Sequence, residues 1–296
     1  MPIDSKALNG LSFDIEEWFH ILNLPTMPPP DQWESLPQTV VSNTERLLEI
    51  LGERNVRATF FVLGWIARRH PALVERIHAA GHEVACHGDM HDLCYELGPD
   101  RFEEDLRRAR DSLSDLLGIP ILGYRAPGFS ILAETPWAFD IINRLGFVYD
   151  SSIFPASRQH GGDRAAPLHP YRIELPDGRT LAEFPMTVVA LGPLRLAVAG
   201  GGYLRLFPYP VVRWGIRRMN RAGHPGCVYL HPREIDPEHP RIEMPLSRRF
   251  RSYVNLATTA PKLGRLLQDF RFGPLSDVLR ERGLLAGEPQ PLASSR

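Results

Sequence analysis

From Leu11 to Tyr149, short apolar runs rich in β-branched and aromatic residues alternate with longer amphipathic segments. Leu11 to Ile15 precedes Val40 to Leu51, and Ala58 to Leu63 precedes Ala72 to Ala80. The rhythm continues with His82 to Cys86, a helix from about Pro99 to Leu117, a strand near Ile121 to Tyr124, a helix from about Pro136 to Leu145, and a strand at Phe147 to Tyr149. Short apolar runs suit buried strands, and apolar residues three and four apart suit helices packed by one face. Strands alternating with helices imply a mostly parallel sheet with helices outside it. After Asp150 the pattern breaks into a Gly, Pro and His-rich loop, Pro155 to Pro170, and a hairpin-like pair, Tyr171 to Leu175 and Thr180 to Phe184, around Asp177-Gly178. It resumes with a helix from about Pro210 to Arg221 and a strand at Cys227 to Leu230.

An open doubly wound sheet and a closed barrel both fit this rhythm, and the polar residues favour the barrel. Asp14, His87, Arg125, Asp150 and His231 each sit at or just after the end of a predicted strand. Chemical groups gathered from the C-terminal ends of many strands are the habit of β/α barrels. The Pro-rich segment Pro25 to Pro37 follows the first strand at the same end and is expected to border a site there.

Composition narrows the class. The 296 residues, 43% hydrophobic and 23% charged, suit a single large domain over 1–282, with 283–296 expected to be a disordered tail. A net charge of -1 argues against nucleic acid as a partner. Met1 to Lys6 contain no basic segment leading into an apolar core, and no stretch approaches the ~18 apolar residues of a membrane span, so a cytoplasmic protein is expected. The three cysteines, Cys86, Cys94 and Cys227, cannot all pair within one molecule and fit a reducing compartment. Cys86, His87, His91 and Cys94 would also allow a closed zinc site, although such sites normally draw their two pairs from separate turns of chain. Nothing in the sequence fixes the oligomeric state.

The chemistry-bearing residues begin with His87 and His91 and with Asp14 and Glu16. Two imidazoles and a carboxylate form a ligand set that leaves positions on a divalent ion open for water, whose pKa then falls from ~15.7 toward ~7. Asp14 and Glu16 lie two apart on a strand and point to the same face. If one binds the ion, the other is free to act as a general base. Arg125, in a turn with Pro127 and Gly128, is placed to hold a buried carboxylate in its ionised form. Asp150 and His231 both end strands, and an Asp bonded to a His fixes the imidazole's tautomer and raises its basicity, which would make His231 a proton donor to a leaving amine. His82 reads as a structural residue at a strand start, and His70 and His78 as part of a solvated helix.

Five ordered motifs between Ser12 and Pro232 resemble those of the polysaccharide deacetylases, carbohydrate esterase family 4. Ser12-Phe13-Asp14-Ile15-Glu16 is similar to the first motif, whose leading Asp is the general base, and His87 to His91 to the second, which supplies both metal histidines. Arg125 to Phe129 resembles the third, whose Arg orients the base; Asp150-Ser151-Ser152 resembles the fourth; Leu230-His231 resembles the fifth, with the His as general acid assisted by the motif-four Asp. Where the common motif has adjacent aspartates, Ile15 stands here and Glu16 is the nearest acid, the expected third ligand. Pro245 to Leu256, Phe13 to Phe19 and Gly201-Gly202-Tyr203 resemble a subgroup linked to exosortase and exopolysaccharide systems, with a C-terminal extension here from about residue 233. The resemblance implies a distorted (β/α) barrel of about seven parallel strands with its site at their C-terminal ends.

The function expected is metal-dependent removal of N-acetyl groups from amino sugars of a bacterial polysaccharide or its lipid-linked precursor. Zinc would be held by Glu16, His87 and His91, Asp14 would be the base, and His231 braced by Asp150 the acid. Backbone N–H groups near Gly128 and Phe129 would stabilise the oxyanion. A ring-amide hydrolase resembling allantoinase and a catalytically silent carbohydrate-binding protein are the alternatives. Arg213, Arg217 and Arg221 recur every four residues opposite Val212, Ile216 and Met219, a pattern that would suit peripheral contact with an anionic membrane and a glycolipid substrate.

Overall fold

The computed structural model describes residues 7–285 except 23, 25 and 159. Its first half follows the expected alternation: β1 (Leu8–Ile15), α1 (Val40–Gly52), β2 (Thr59–Val62), α2 (Gly64–Arg69), α3 (Pro71–Ala79), β3 (Glu83–Cys86), α4 (Cys94–Leu117), β4 (Gly123–Tyr124), α5 (Trp137–Arg144) and β5 (Tyr149–Asp150). The second half holds β6 (Tyr171–Glu174), β7 (Thr180–Glu183), β8 (Val188–Leu191), β9 (Leu194–Ala197), α6 (Gly201–Leu206), α7 (Tyr209–Arg221), β10 (Cys227–Leu230), α8 (Leu246–Tyr253), α9 (Thr259–Asp269), β11 (Arg271–Gly273) and α10 (Leu275–Glu281). α4 breaks at Gly98 (φ 70°), so its main run starts at Pro99, where the ring's fixed φ suits a helix start. Among the described residues, no helix is long and apolar enough to cross a membrane.

The main sheet runs β10-β1-β2-β3-β4-β5-β7-β6, parallel from β10 through β7, with β6 antiparallel at the edge. β11 pairs with the start of β1 beside β10. These seven parallel strands curl into a barrel whose seam, between the chain after β7 and β10, is bridged by a side chain. The Thr187 hydroxyl donates to the Cys227 carbonyl at 2.7 Å and accepts the Cys227 N–H at 2.6 Å, doing for one residue what a ladder does elsewhere.

Strand parity divides the core in two. Leu11, Phe13 and Ile15 of β1, with Phe60 and Val62 of β2, pack under the helices, whereas Phe61, Ala85, Tyr149 and Phe184 belong to the second apolar cluster, inside the barrel. The interior is tight: a Cβ on Gly123 would lie 2.0 Å from the Tyr149 ring, so only glycine lets that ring cross the barrel. Ser12 and Asp14 share the inner face of β1, which carries the chemistry.

Leu284 and Leu285, expected in a tail, pack against the inner cluster instead, because α10 carries the chain back over the barrel beside β1. Residues 286–296 of that expected tail lie outside the described residues. All three cysteines are buried and unpaired. Cys86 and Cys94 sit in the apolar layer under the helices and join neither candidate cation-holding group among the described residues, so the four-ligand zinc alternative is overturned.

Candidate active site

The ends of β1 and β3 bring the first cluster together. Glu16 stands one residue beyond β1, on the same side as Asp14, and is buried. Its neighbour Glu17 turns away and accepts the Thr39 and Val40 N–H groups, both at 2.9 Å, pinning the strand's exit to the start of α1. After β3, the His87 N–H continues the ladder to Val62. Gly88 (φ 81°) and His91 (φ 65°) then turn the loop so that both imidazoles face Glu16. His87 Nε2 lies 3.0 Å and His91 Nε2 2.8 Å from Glu16 Oε1.

This geometry fits a cation. The Nδ1 of His87 donates to the Arg125 carbonyl at 2.8 Å, so the deprotonated nitrogen of the neutral ring is Nε2, aimed at the Glu16 oxygen. Burial opposes charge on Glu16, but His91 and His231 hold its carboxyl well below the usual range. The two imidazoles and an ionised carboxylate therefore converge in a buried place, and Glu16 with His87 and His91 forms one of two candidate cation-holding groups among the described residues; Asp14, Glu16 and His231 form the other. His20 stacks on His91 at 5.8 Å and packs on Trp33 and Trp65, fixing the plane of the His91 ring. Trp33 belongs to the Pro-rich segment, which thus borders the site; its Pro25 lies outside the described residues.

Arg125, fully buried at the end of β4, holds Asp14. Its Nη1 donates to Asp14 Oδ1 at 2.6 Å and to the Ser12 hydroxyl at 2.9 Å, while Nε and Nη2 bond the Ser151 carbonyl and hydroxyl at 3.2 and 3.0 Å. The Phe61 ring lies under the guanidinium at 4.1 Å. One Asp14 oxygen is committed to Arg125, and the other lies 3.9 Å from His231 Nε2. Asp14, Glu16 and His231 open together on a cavity of about 570 Å³.

The partner of His231 differs from the one expected. His231 Nδ1 lies 3.1 Å from Glu234 Oε2, and Arg205 donates to the other Glu234 oxygen at 2.9 Å. Asp150 instead accepts the Ser152 N–H and hydroxyl at 3.0 and 2.6 Å, and the Ser152 hydroxyl in turn accepts the Ala126 N–H. Asp150 therefore braces the backbone beside Arg125, and its assignment as the support of His231 is corrected. It is held on its other side by Glu183, whose carboxyl burial and the Asp150 charge push far up. Protonated, Glu183 donates to Asp150, which gives its otherwise unpartnered Oε2 a role. Burial lowers the basicity of His231, but Glu16 and Glu234 outweigh it and raise the pKa above its ordinary value. Arg205 and His231 overcome burial to hold Glu234 down at about 2.

Gly128 and Phe129 do line the cavity, but the Phe129 N–H is spent on the Ala126 carbonyl at 3.0 Å in a tight turn, which removes it as an oxyanion donor. The Phe129 ring serves instead as an aromatic wall against Phe154 and Tyr229. His82 accepts the Ala58 N–H at 3.2 Å, as expected of a structural residue. Glu234, Arg205, Glu183 and Arg158 were missed from sequence; only Glu234, three residues after His231 on a proline-started turn, carried a spacing that could have revealed it.

Fold and site thus define a distorted (β/α) barrel with a carboxylate and two-histidine cluster, flanked by Asp–Arg and His–Glu pairs, at the C-terminal strand ends. The sequence profile of the polysaccharide deacetylase family matches residues 31–149, and that of a domain of unknown function, DUF3473, matches residues 151–280. The two profiles meet at β5, inside one continuous sheet. A peptidoglycan deacetylase-like protein of Gibberella zeae is 31% identical over 110 residues, 36% of this chain and 32% of that protein. A chitooligosaccharide deacetylase of Rhizobium leguminosarum bv. trifolii is 36% identical over 70 residues, 24% of this chain and 33% of that one. The chain thus spans about a third of the length of these curated relatives. Among solved structures, a putative polysaccharide deacetylase from Mycobacterium smegmatis superposes with a TM-score of 0.62 at 22% identity, over 98% of this chain and 96% of that one. Puue allantoinase superposes with a TM-score of 0.66 at 15% identity, over 96% and 93%. Both share the barrel.

Proposed function

We propose that the protein hydrolyses the acetamido group of an N-acetylated amino sugar in a bacterial polysaccharide or its lipid-linked precursor, with a divalent cation, zinc, held by Glu16, His87 and His91. The observation that carries this reading is the convergence of those three side chains beside an arginine-held Asp14 and a carboxylate-held His231 in one cavity. Bound there, the cation supplies a Lewis acid for the amide carbonyl and makes hydroxide accessible near neutral pH.

The chain's own groups divide the proton work. Arg125 fixes one oxygen of Asp14, so the other, turned to the cavity, accepts the proton of the attacking water. His231 carries a proton on Nε2, the nitrogen facing Asp14 and Glu16, and delivers it to the departing amine. The share of its raised basicity that comes from Glu234 does not depend on Glu16 and persists when a cation neutralises Glu16. The barrel is shared with an allantoinase and does not by itself choose the amide; the deacetylase names of the sequence relatives favour the sugar substrate.

The test is acetate release from a panel of N-acetylated oligosaccharides, with and without a chelator. Release that the chelator abolishes and zinc restores is expected. Release indifferent to the chelator would sink the cation's role, and no release from any member would sink the hydrolase.

A further inference from the structure

The cavity over the cluster is lined by Arg158, Arg205, Arg233, Arg248 and Arg251, against the carboxylates of Asp14, Glu16 and Glu234. Each carboxylate already has its partner: Arg125 for Asp14, the proposed cation shared with His87 and His91 for Glu16, and Arg205 with His231 for Glu234. Arg205 is accounted for; no lining acid is left for Arg158, Arg233 or Arg251, and Arg248 donates to the Leu22 carbonyl. Arg158 is held by neutral groups, its Nη1 donating to the Tyr229 hydroxyl at 3.1 Å and its guanidinium lying 4.8 and 4.5 Å from the Phe129 and Phe154 rings. Nη1 of Arg233 is buried with no hydrogen-bond partner among the described residues. Burial, then the charges of Arg251 and Arg233, depress the basicity of Arg248, which puts the three guanidinium groups in one mutually repelling field.

Like charges crowded along a partly buried wall, one with an unmet buried donor, cost free energy unless an anion joins them. Guanidinium forks match the oxygens of phosphate and carboxylate, and arginine is the residue of choice for holding them. We propose that Arg158, Arg233, Arg248 and Arg251 form a subsite for an oxyanion on the substrate, so that the sugar deacetylated carries a phosphate ester or a carboxylate close to its acetamido group. This rests on the hydrolase reading for where the acetamido group lies. It also distinguishes this cavity from one built for a neutral chain of N-acetylglucosamine.

The experiment is calorimetric titration of the zinc-loaded protein with N-acetylglucosamine 1-phosphate, a disaccharide of N-acetylglucosamine and glucuronate, and neutral diacetylchitobiose. At least one anionic probe is expected to bind about tenfold tighter than chitobiose, the size of one charge-assisted hydrogen bond. Preference for the phosphate or for the uronate identifies the source of the oxyanion. Arg233→Gln and the exposed Arg251→Gln are expected to collapse the anionic-to-neutral ratio, while Arg249→Gln, on α8 outside the cavity lining, keeps it. Equal binding of all three probes, binding of none, or a ratio unmoved by both variants overturns the subsite. Acetate release, followed on the same probes, separates the two readings: preference without release keeps the subsite and removes the hydrolase, and release without preference does the reverse.

Discussion

Asp14 and Asp150 begin from the same circumstances. Both are acids at or near the C-terminal end of a parallel strand, and both are buried. Asp14 is met by a fixed cation on one oxygen and by the cavity on the other. Asp150 is met by the Ser152 hydroxyl and N–H and by a second buried acid, Glu183, whose carboxyl burial and the Asp150 charge push far up. A carboxylate with one oxygen on an arginine and the other facing a cavity can take a proton from substrate water; one closed in by donors can only hold structure. Position at a strand end made both candidates, and the partner decided between them.

Substitutions sharpen that contrast. Asp14→Asn is expected to lower kcat by roughly 10²–10⁴-fold, the usual range for a lost general base, read as acetate release. Because Arg125 is then buried without its counter-charge, chemical denaturation should also show a loss of about 3–5 kcal/mol. Glu234→Gln is expected to cost about tenfold in kcat at pH 8 and to move the alkaline limb of the profile to lower pH, since removing the Glu234 charge lowers the His231 pKa. Asp150→Asn should leave that limb in place and instead reduce stability by about 1–3 kcal/mol through its Ser152 bonds; a shifted limb would restore Asp150 as the support of His231.

Glu183→Gln has the smallest expected effect and the most specific sign. Native Glu183 keeps a proton that the unfolded chain releases above the ordinary value of 4.5, so stability falls as pH rises from there toward the raised native pKa. Glutamine is neutral throughout and still donates to Asp150. Thermal melts should therefore show the variant gaining on the wild type as pH rises from 4 to 8, and equal slopes in the two proteins would contradict the raised pKa of Glu183.

The barrel and the core of the site were legible because alternation and strand ends are local signals. The parity of Asp14 and Glu16 on one strand, and the loop carrying His87 and His91, needed no tertiary information. What escaped depends on convergence. β11 is three residues, Arg271–Gly273, and is a strand only because β1 offers it an edge. Choosing Glu234 over Asp150 for His231 required knowing that the turn at Pro232–Ile235 folds Glu234 back onto the ring. The Phe129 N–H was unavailable because the turn at Pro127–Phe129 closes on Ala126. The arginine wall gathers Arg158 from one loop, Arg233 from a turn and two residues from α8, and no periodicity links them.

The most direct test of the central arrangement is zinc stoichiometry and affinity by calorimetry in the wild type and in Glu16→Gln. If Glu16, His87 and His91 hold the cation, the wild type binds one zinc per chain and the variant binds it at least about tenfold more weakly, the cost of losing one charged ligand. Wild-type protein that binds no zinc, or a variant that binds it as tightly, would contradict the arrangement.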